Sequence, residues 1–80
     1  MISLKIYRHG NDIMIGACDE HLIGKTFKEG KFRLFVDKKF YDGERVDAST
    51  LKRFLKDATI ANLVGPETVK VAMELGLVDP

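Results

Sequence analysis

The stretch Ile2-Ser3-Leu4-Lys5-Ile6-Tyr7-Arg8-His9-Gly10-Asn11-Asp12-Ile13-Met14-Ile15-Gly16-Ala17-Cys18 decides the fold class. Ile2, Leu4 and Ile6 alternate with Ser3, Lys5 and Tyr7, a period of two that marks a half-buried strand. His9-Gly10-Asn11-Asp12 supplies residues that tolerate a tight turn. Ile13, Ile15 and Ala17 then alternate with Met14, Gly16 and Cys18. Residues 2–8 and 12–18 are therefore expected to form an antiparallel β-hairpin.

Further along the chain the pattern changes. Asp19 is placed to cap a short helical turn through Leu22-Ile23, stopped by Gly24. Phe32, Leu34 and Val36 alternate with Arg33, Phe35 and Asp37, which predicts a third strand over 31–37 with Phe32 on the core side. The dipeptide Asp42-Gly43 predicts a turn within a short, ragged strand over 40–46. From Asp47 the period becomes helical. Leu51, Phe54, Leu55 and Ala58 fit the i, i+3, i+4, i+7 stripe, giving a helix over 48–58 with Asp47 or Ser49 as N-cap. Thr59 to Val64 is apolar without a clear period. Pro66 and Glu67 suit the start of a second helix over 66–75, with Val69, Ala72 and Met73 as its buried stripe and Gly76 at its C-terminal cap. The expectation is one α+β domain over residues 1–80, hairpins first and two helices last, with no linker.

Composition narrows the function. Eighty residues, 45 % of them apolar, suffice for one core. The uncharged run that begins at Thr59 stops at Glu67, far short of the roughly 20 residues a spanning helix needs, so no membrane role is expected. The N-terminus alternates at once and lacks the basic-then-apolar pattern of a signal peptide. A single cysteine, Cys18, fits a reducing compartment and supports neither an internal disulfide nor a metal site of its own. With 13 basic and 12 acidic residues the chain has no global attraction to anions. The charge is uneven, however. Lys25, Lys28, Lys31, Arg33, Lys38 and Lys39 crowd residues 25–39 against Glu29 and Asp37.

Several constellations carry chemistry in other proteins. Gly24-Lys25-Thr26 matches the end of a phosphate-binding loop, but Asp19 stands where that loop needs glycine. Cys18-Asp19-Glu20-His21 brings a thiol, two carboxylates and an imidazole together. A cysteine nucleophile also needs an oxyanion site, and a metal needs three or four convergent ligands. No catalytic residue, cofactor or metal is expected. The basic run interleaves with Phe27, Phe32, Phe35 and Phe40. Nucleic-acid-binding sheets use that mixture, as do ordinary solvated faces with snorkelling lysines. Phe35, on the face of Arg33, is the candidate base stacker.

The segment Asn62-Leu63-Val64-Gly65-Pro66-Glu67-Thr68-Val69, within residues 50–76, resembles the second half of a helix-hairpin-helix motif. That motif holds a nucleic-acid phosphate on the amides of a Gly-hydrophobic-Gly turn and the following helix. Val64 and Gly65 match; Leu63 stands in place of the first glycine, and Glu67 where a base is common. Taken with Ala17-Cys18-Asp19-Glu20, Leu22, Gly24-Lys25-Thr26-Phe27, Phe40-Tyr41-Asp42-Gly43, Ala58 to Gly65 and Glu74-Leu75-Gly76-Leu77, the chain resembles a family of small archaeal proteins catalogued as a domain of unknown function. The resemblance implies a cytoplasmic protein associated with translation-related genes, and it supplies no catalytic residues.

Two groups of polar residues have no evident packing duty: Cys18, Asp19, Gly24, Lys25 and Thr26, and then Thr59, Asn62 and Gly65. If they meet, they form a small polar pocket. The functional expectation is a non-catalytic accessory protein that binds RNA or a ribonucleoprotein. The alternatives are a protein–protein interaction module, and a ligand binder or enzyme built on Cys18, Asp19, His21 and Lys25.

Overall fold

The computed structural model describes residues 1–77. Strands β1 (Ile2–His9) and β2 (Asp12–Asp19) pair antiparallel in the register Ile2↔Asp19 to His9↔Asp12. Gly10 has φ 60° and Asn11 a negative φ, the pattern of a type II′ turn. A single 3-10 turn, Glu20–Leu22, follows. Next come β3 (Thr26–Glu29), β4 (Phe32–Phe35), α1 (Lys38–Tyr41), β5 (Glu44–Val46), α2 (Ala48–Asp57), β6 (Ile60–Val64) and α3 (Pro66–Glu74).

The main sheet has the order β5-β1-β2-β6. β5 is antiparallel to β1, and β6 is parallel to β2. β5 and β6 therefore run in the same direction, with α2 as their crossover and the β1–β2 hairpin between them. This is a split β-α-β unit.

The period-two reading sorts the two faces correctly. Ile2, Leu4, Ile15 and Ala17 share one face and are buried with Leu51, Leu55, Val71 and Ala72 from α2 and α3. At about 25 cal/mol per Å² of buried apolar area, this cluster is the main source of stability. The opposite face presents the small residues Ser3, Gly16 and Cys18, so the chain from Val36 to Gly43 lies directly on it. The Ser3 hydroxyl donates to the Tyr41 carbonyl (2.6 Å) and accepts from the Gly43 amide (2.8 Å). The Phe40 ring covers Gly16, where an added Cβ would meet Cε1 at 2.7 Å, and stacks on Tyr7 with centroids 5.2 Å apart. A smaller cluster of Cys18, Leu22 and Val36 closes that side.

Four expectations need correction. The strand predicted over 31–37 is confined to Phe32–Phe35 and pairs with β3 in a separate two-stranded sheet. Phe32 is consequently 82 % exposed instead of buried. Of residues 40–46, only Glu44–Val46 is strand; Lys38–Tyr41 is a helical turn whose N-cap, Asp37, accepts from the Lys39 amide. The apolar run before Gly65 is β6, whose backbone partners come from β2, so local periodicity could not disclose it. The buried stripe of α3 is Thr68, Val71 and Ala72, with Met73 turned outward. Both helix caps follow the sequence more closely. Asp47 caps α2 by accepting from the Thr50 amide at 2.8 Å. Gly76, at φ 75°, ends α3 in a Schellman arrangement, Leu77 N–H to Ala72 O and Gly76 N–H to Met73 O.

Candidate nucleic-acid interface

Asp19 continues the parity of Ile15 and Ala17, so its carboxylate points to the helical face at the end of β2. It is 1 % exposed. One oxygen accepts from the Thr68 amide and hydroxyl, each at 2.8 Å; the other accepts from the Glu67 amide at 3.1 Å. A carboxylate from another strand thus caps α3, satisfying amides that a helix leaves unpaired and complementing its dipole. Gly65 is required beside it. Its φ is 104°, and an added Cβ would lie 2.5 Å from the Asp19 carboxyl carbon.

This arrangement removes the helix-hairpin-helix geometry from residues 50–76. A five-residue strand, not a glycine turn, joins α2 to α3, and the helix N-terminus where a phosphate would bind is filled by Asp19.

The proposed polar pocket is only partly assembled. Asp19 and Gly65 touch. Cys18 faces the opposite side of the sheet and is fully buried, and burial with the neighbouring Asp19 charge pushes its thiol up to about 11. Thr59 sits at the far end of β6, roughly 20 Å along the strand from Gly65. There its hydroxyl accepts from the Ile13 amide at 2.9 Å and contacts the Asp12 carboxylate at 3.1 Å. Asn62 is exposed on β6, and Gly24, Lys25, Thr26 and His21 are exposed elsewhere. Among the described residues no group of three His, Cys, Asp or Glu side chains could hold a metal.

The basic run has a different placement. β3 and β4 form an arm whose side chains are all exposed. Its base is fastened by the Gly24 amide to the Val36 carbonyl (2.8 Å) and the Val36 amide to the Lys25 carbonyl (2.9 Å). The register Thr26↔Phe35, Phe27↔Leu34, Lys28↔Arg33, Glu29↔Phe32 gives the arm two unlike faces. Phe27, Phe32 and Leu34 lie on one, with Glu29. Thr26, Lys28, Arg33 and Phe35 lie on the other.

On that second face Lys28 and Arg33 are directly opposite each other, an arrangement that weakens a hairpin unless an anion relieves it. Among the described residues neither has an acidic partner, and the same holds for Lys25, Lys31, Lys38 and Lys39. Phe35 is 52 % exposed beside them. Lys38 and Lys39 belong to α1, against the main sheet, and are not part of the arm. The apolar face of the arm leads into a groove of about 270 Å³ lined by Leu22, Phe27, Leu34, Val64, Gly65 and Pro66.

Sequence reasoning missed β3 and with it the arm. The signal was present in Thr26-Phe27-Lys28-Glu29-Gly30-Lys31-Phe32, an alternation interrupted by a glycine turn. It also missed the Thr68 and Glu67 amides as partners of Asp19. A carboxylate at a core-facing position, which must find donors if buried, was the available clue.

Residues 7–80 match the family model described as "Protein of unknown function (DUF424)". The chain belongs to the DUF424 family. The solved structure of an uncharacterized conserved protein from the archaeon Methanopyrus kandleri is similar to this DUF424 chain. It matches with a TM-score of 0.77 and 23 % identity over 96 % of this chain and 75 % of that one. At that identity the likeness speaks for the fold. No curated protein matches the sequence.

Proposed function

We propose that the chain is a non-catalytic accessory protein of the cytoplasm that engages RNA or a ribonucleoprotein through the basic face of its β3–β4 arm. The observation that carries this reading is the Lys28–Arg33 cross-strand pair, two adjacent cations that form no ion pair among the described residues, flanked by an exposed phenyl ring. Phosphates would relieve the repulsion, and their counterions would be released on binding. The arm contributes none of the residues of the main core, so its composition is free to serve a partner.

The enzymatic alternative loses support because Cys18 is buried and protonated at neutral pH, and Asp19 is saturated by α3. The interaction-module alternative draws on one specific observation: the apolar face of the arm, with Phe27, Phe32 and Leu34, continues into the groove beside Pro66.

Fluorescence polarisation with labelled tRNA and rRNA fragments tests the proposal. Affinity should fall as salt rises, and Lys28→Glu with Arg33→Glu should abolish binding while leaving the melting temperature unchanged. Absence of binding at low salt, or affinity indifferent to salt, would refute it.

A further inference from the structure

We infer that the arm selects unpaired bases, so that its ligand is a single-stranded RNA segment and not a duplex. The inference rests on the RNA reading above and adds the structural class of the RNA.

Phe35 stands on the cationic face, one cross-strand pair from Lys28 and Arg33, a spacing of about 6.6 Å along a strand. A base stacked on the Phe35 ring would leave its flanking phosphates over these two cations. Among the described residues the ring stacks on no other aromatic side chain; the two aromatic pairs are Tyr7–Phe40 and Phe40–Tyr41. A duplex cannot use such a ring. A-form helices keep base faces stacked inside and offer side chains only phosphates and 2′-hydroxyls across a shallow groove. A phenyl ring against that surface gains nothing, whereas one on an unpaired base gains a sequence-tolerant stack.

The size of the arm agrees. Four residues per strand span roughly 13 Å, whereas duplex-binding domains spread their contacts over about 16 base pairs. Lys28, Lys31 and Arg33 lie within that short arm, which matches a footprint of a few nucleotides. Phe32, 82 % exposed near the tip on the opposite face, would take a base only if the strand wrapped the arm, and the inference does not need it.

The test uses the full chain, a labelled single-stranded RNA of roughly 12 nucleotides, and the same strand annealed to its complement. The wild type should bind the single strand at least about tenfold more tightly. Phe35→Ala should weaken single-strand binding about 5- to 160-fold, the range for loss of one base–aromatic stack, and leave duplex binding unchanged. Because Phe35 is exposed, the variant should melt with the wild type. Lys28→Ala with Arg33→Ala should weaken both ligands and reduce the single-strand salt slope by about 1.4.

Equal affinity for the two ligands with no effect of Phe35→Ala would overturn the inference and leave the RNA reading standing on phosphate contacts. Binding of neither ligand at low salt would overturn both.

Discussion

Asp19→Asn replaces the carboxylate that joins β2 to α3 with a group of nearly the same shape. The amide oxygen of asparagine can still accept from the Thr68 amide and hydroxyl, as Asp19 Oδ1 does. The other position becomes an NH₂ facing the Glu67 N–H, donor against donor, where Asp19 Oδ2 now accepts at 3.1 Å. Loss of one hydrogen bond to a charged group costs about 1.5–3 kcal/mol. Loss of the negative charge at the start of a helix adds about 0.3–1 kcal/mol. The expected destabilisation is about 2–4 kcal/mol, set against a total of about 4–12 kcal/mol for a domain of this length. Urea unfolding followed by far-UV circular dichroism should show a lower midpoint with an unchanged slope. The melting temperature should fall by roughly 8–30 °C. Asp19→Ala strips all three donors of their acceptor and should cost about 3–5 kcal/mol, near the limit of folding, so the asparagine variant is the informative one. Glu67→Ala is the control, because Glu67 contributes its backbone and not its side chain to the cap. An Asp19→Asn variant within about 0.5 kcal/mol of wild type would refute the account of this junction.

Other consequences follow from the same geometry. Gly65→Ala combines a residue held at φ 104° with a Cβ driven against the Asp19 carboxyl group. It should cost at least about 1–3 kcal/mol by the same unfolding measurement. Cys18 should resist iodoacetamide in the native protein and react fully in urea. Burial pushes its thiol up to about 11 from the ordinary 9.0. The folded state therefore keeps a proton that the unfolded chain releases, and stability should decline as pH rises from about 9 towards 11. Asp47 behaves oppositely. The Thr50 amide holds its carboxyl below the usual 3.8, so its contribution is present above that pH and is lost as pH falls through the depressed value. An Asp47→Asn variant should show a shallower acid limb in an unfolding titration. Brief trypsin treatment should cut first at Lys28, Lys31 or Arg33 in the exposed arm, leaving fragments that stay associated through the core.

How far the sequence disclosed this molecule depended on whether a residue's partners were local. The β1–β2 hairpin, the α2 stripe and both helix caps are written in neighbouring residues, and each was legible. β6 was not, because four apolar residues around Asn62, without a period, fit a helix, a loop or a buried strand equally well. Only the pairing with β2 makes them a strand. Phe32 was placed inward because its parity matches Leu34 and Val36. Parity states which residues share a face but not what covers that face. Val36 is buried by the main body, whereas Phe32 and Leu34 extend beyond it. Asp19 was grouped with residues that the fold mostly does not bring to it. Gly65 touches it, whereas the others lie in a strand interior, at the base of the arm and along β6. The cations at Lys28 and Arg33 were recognised as a run, yet their confrontation across two strands depended on β3, which was not foreseen.

The central claim, that the basic face of the arm is the RNA-binding surface, is tested most directly by a ¹H–¹⁵N NMR titration of the full chain with single-stranded RNA. The account predicts amide shifts concentrated at Thr26, Lys28, Arg33 and Phe35, suppressed by added salt, with α2 and α3 unmoved. Shifts centred on the helices, or a spectrum unchanged at saturating RNA and low salt, would contradict it.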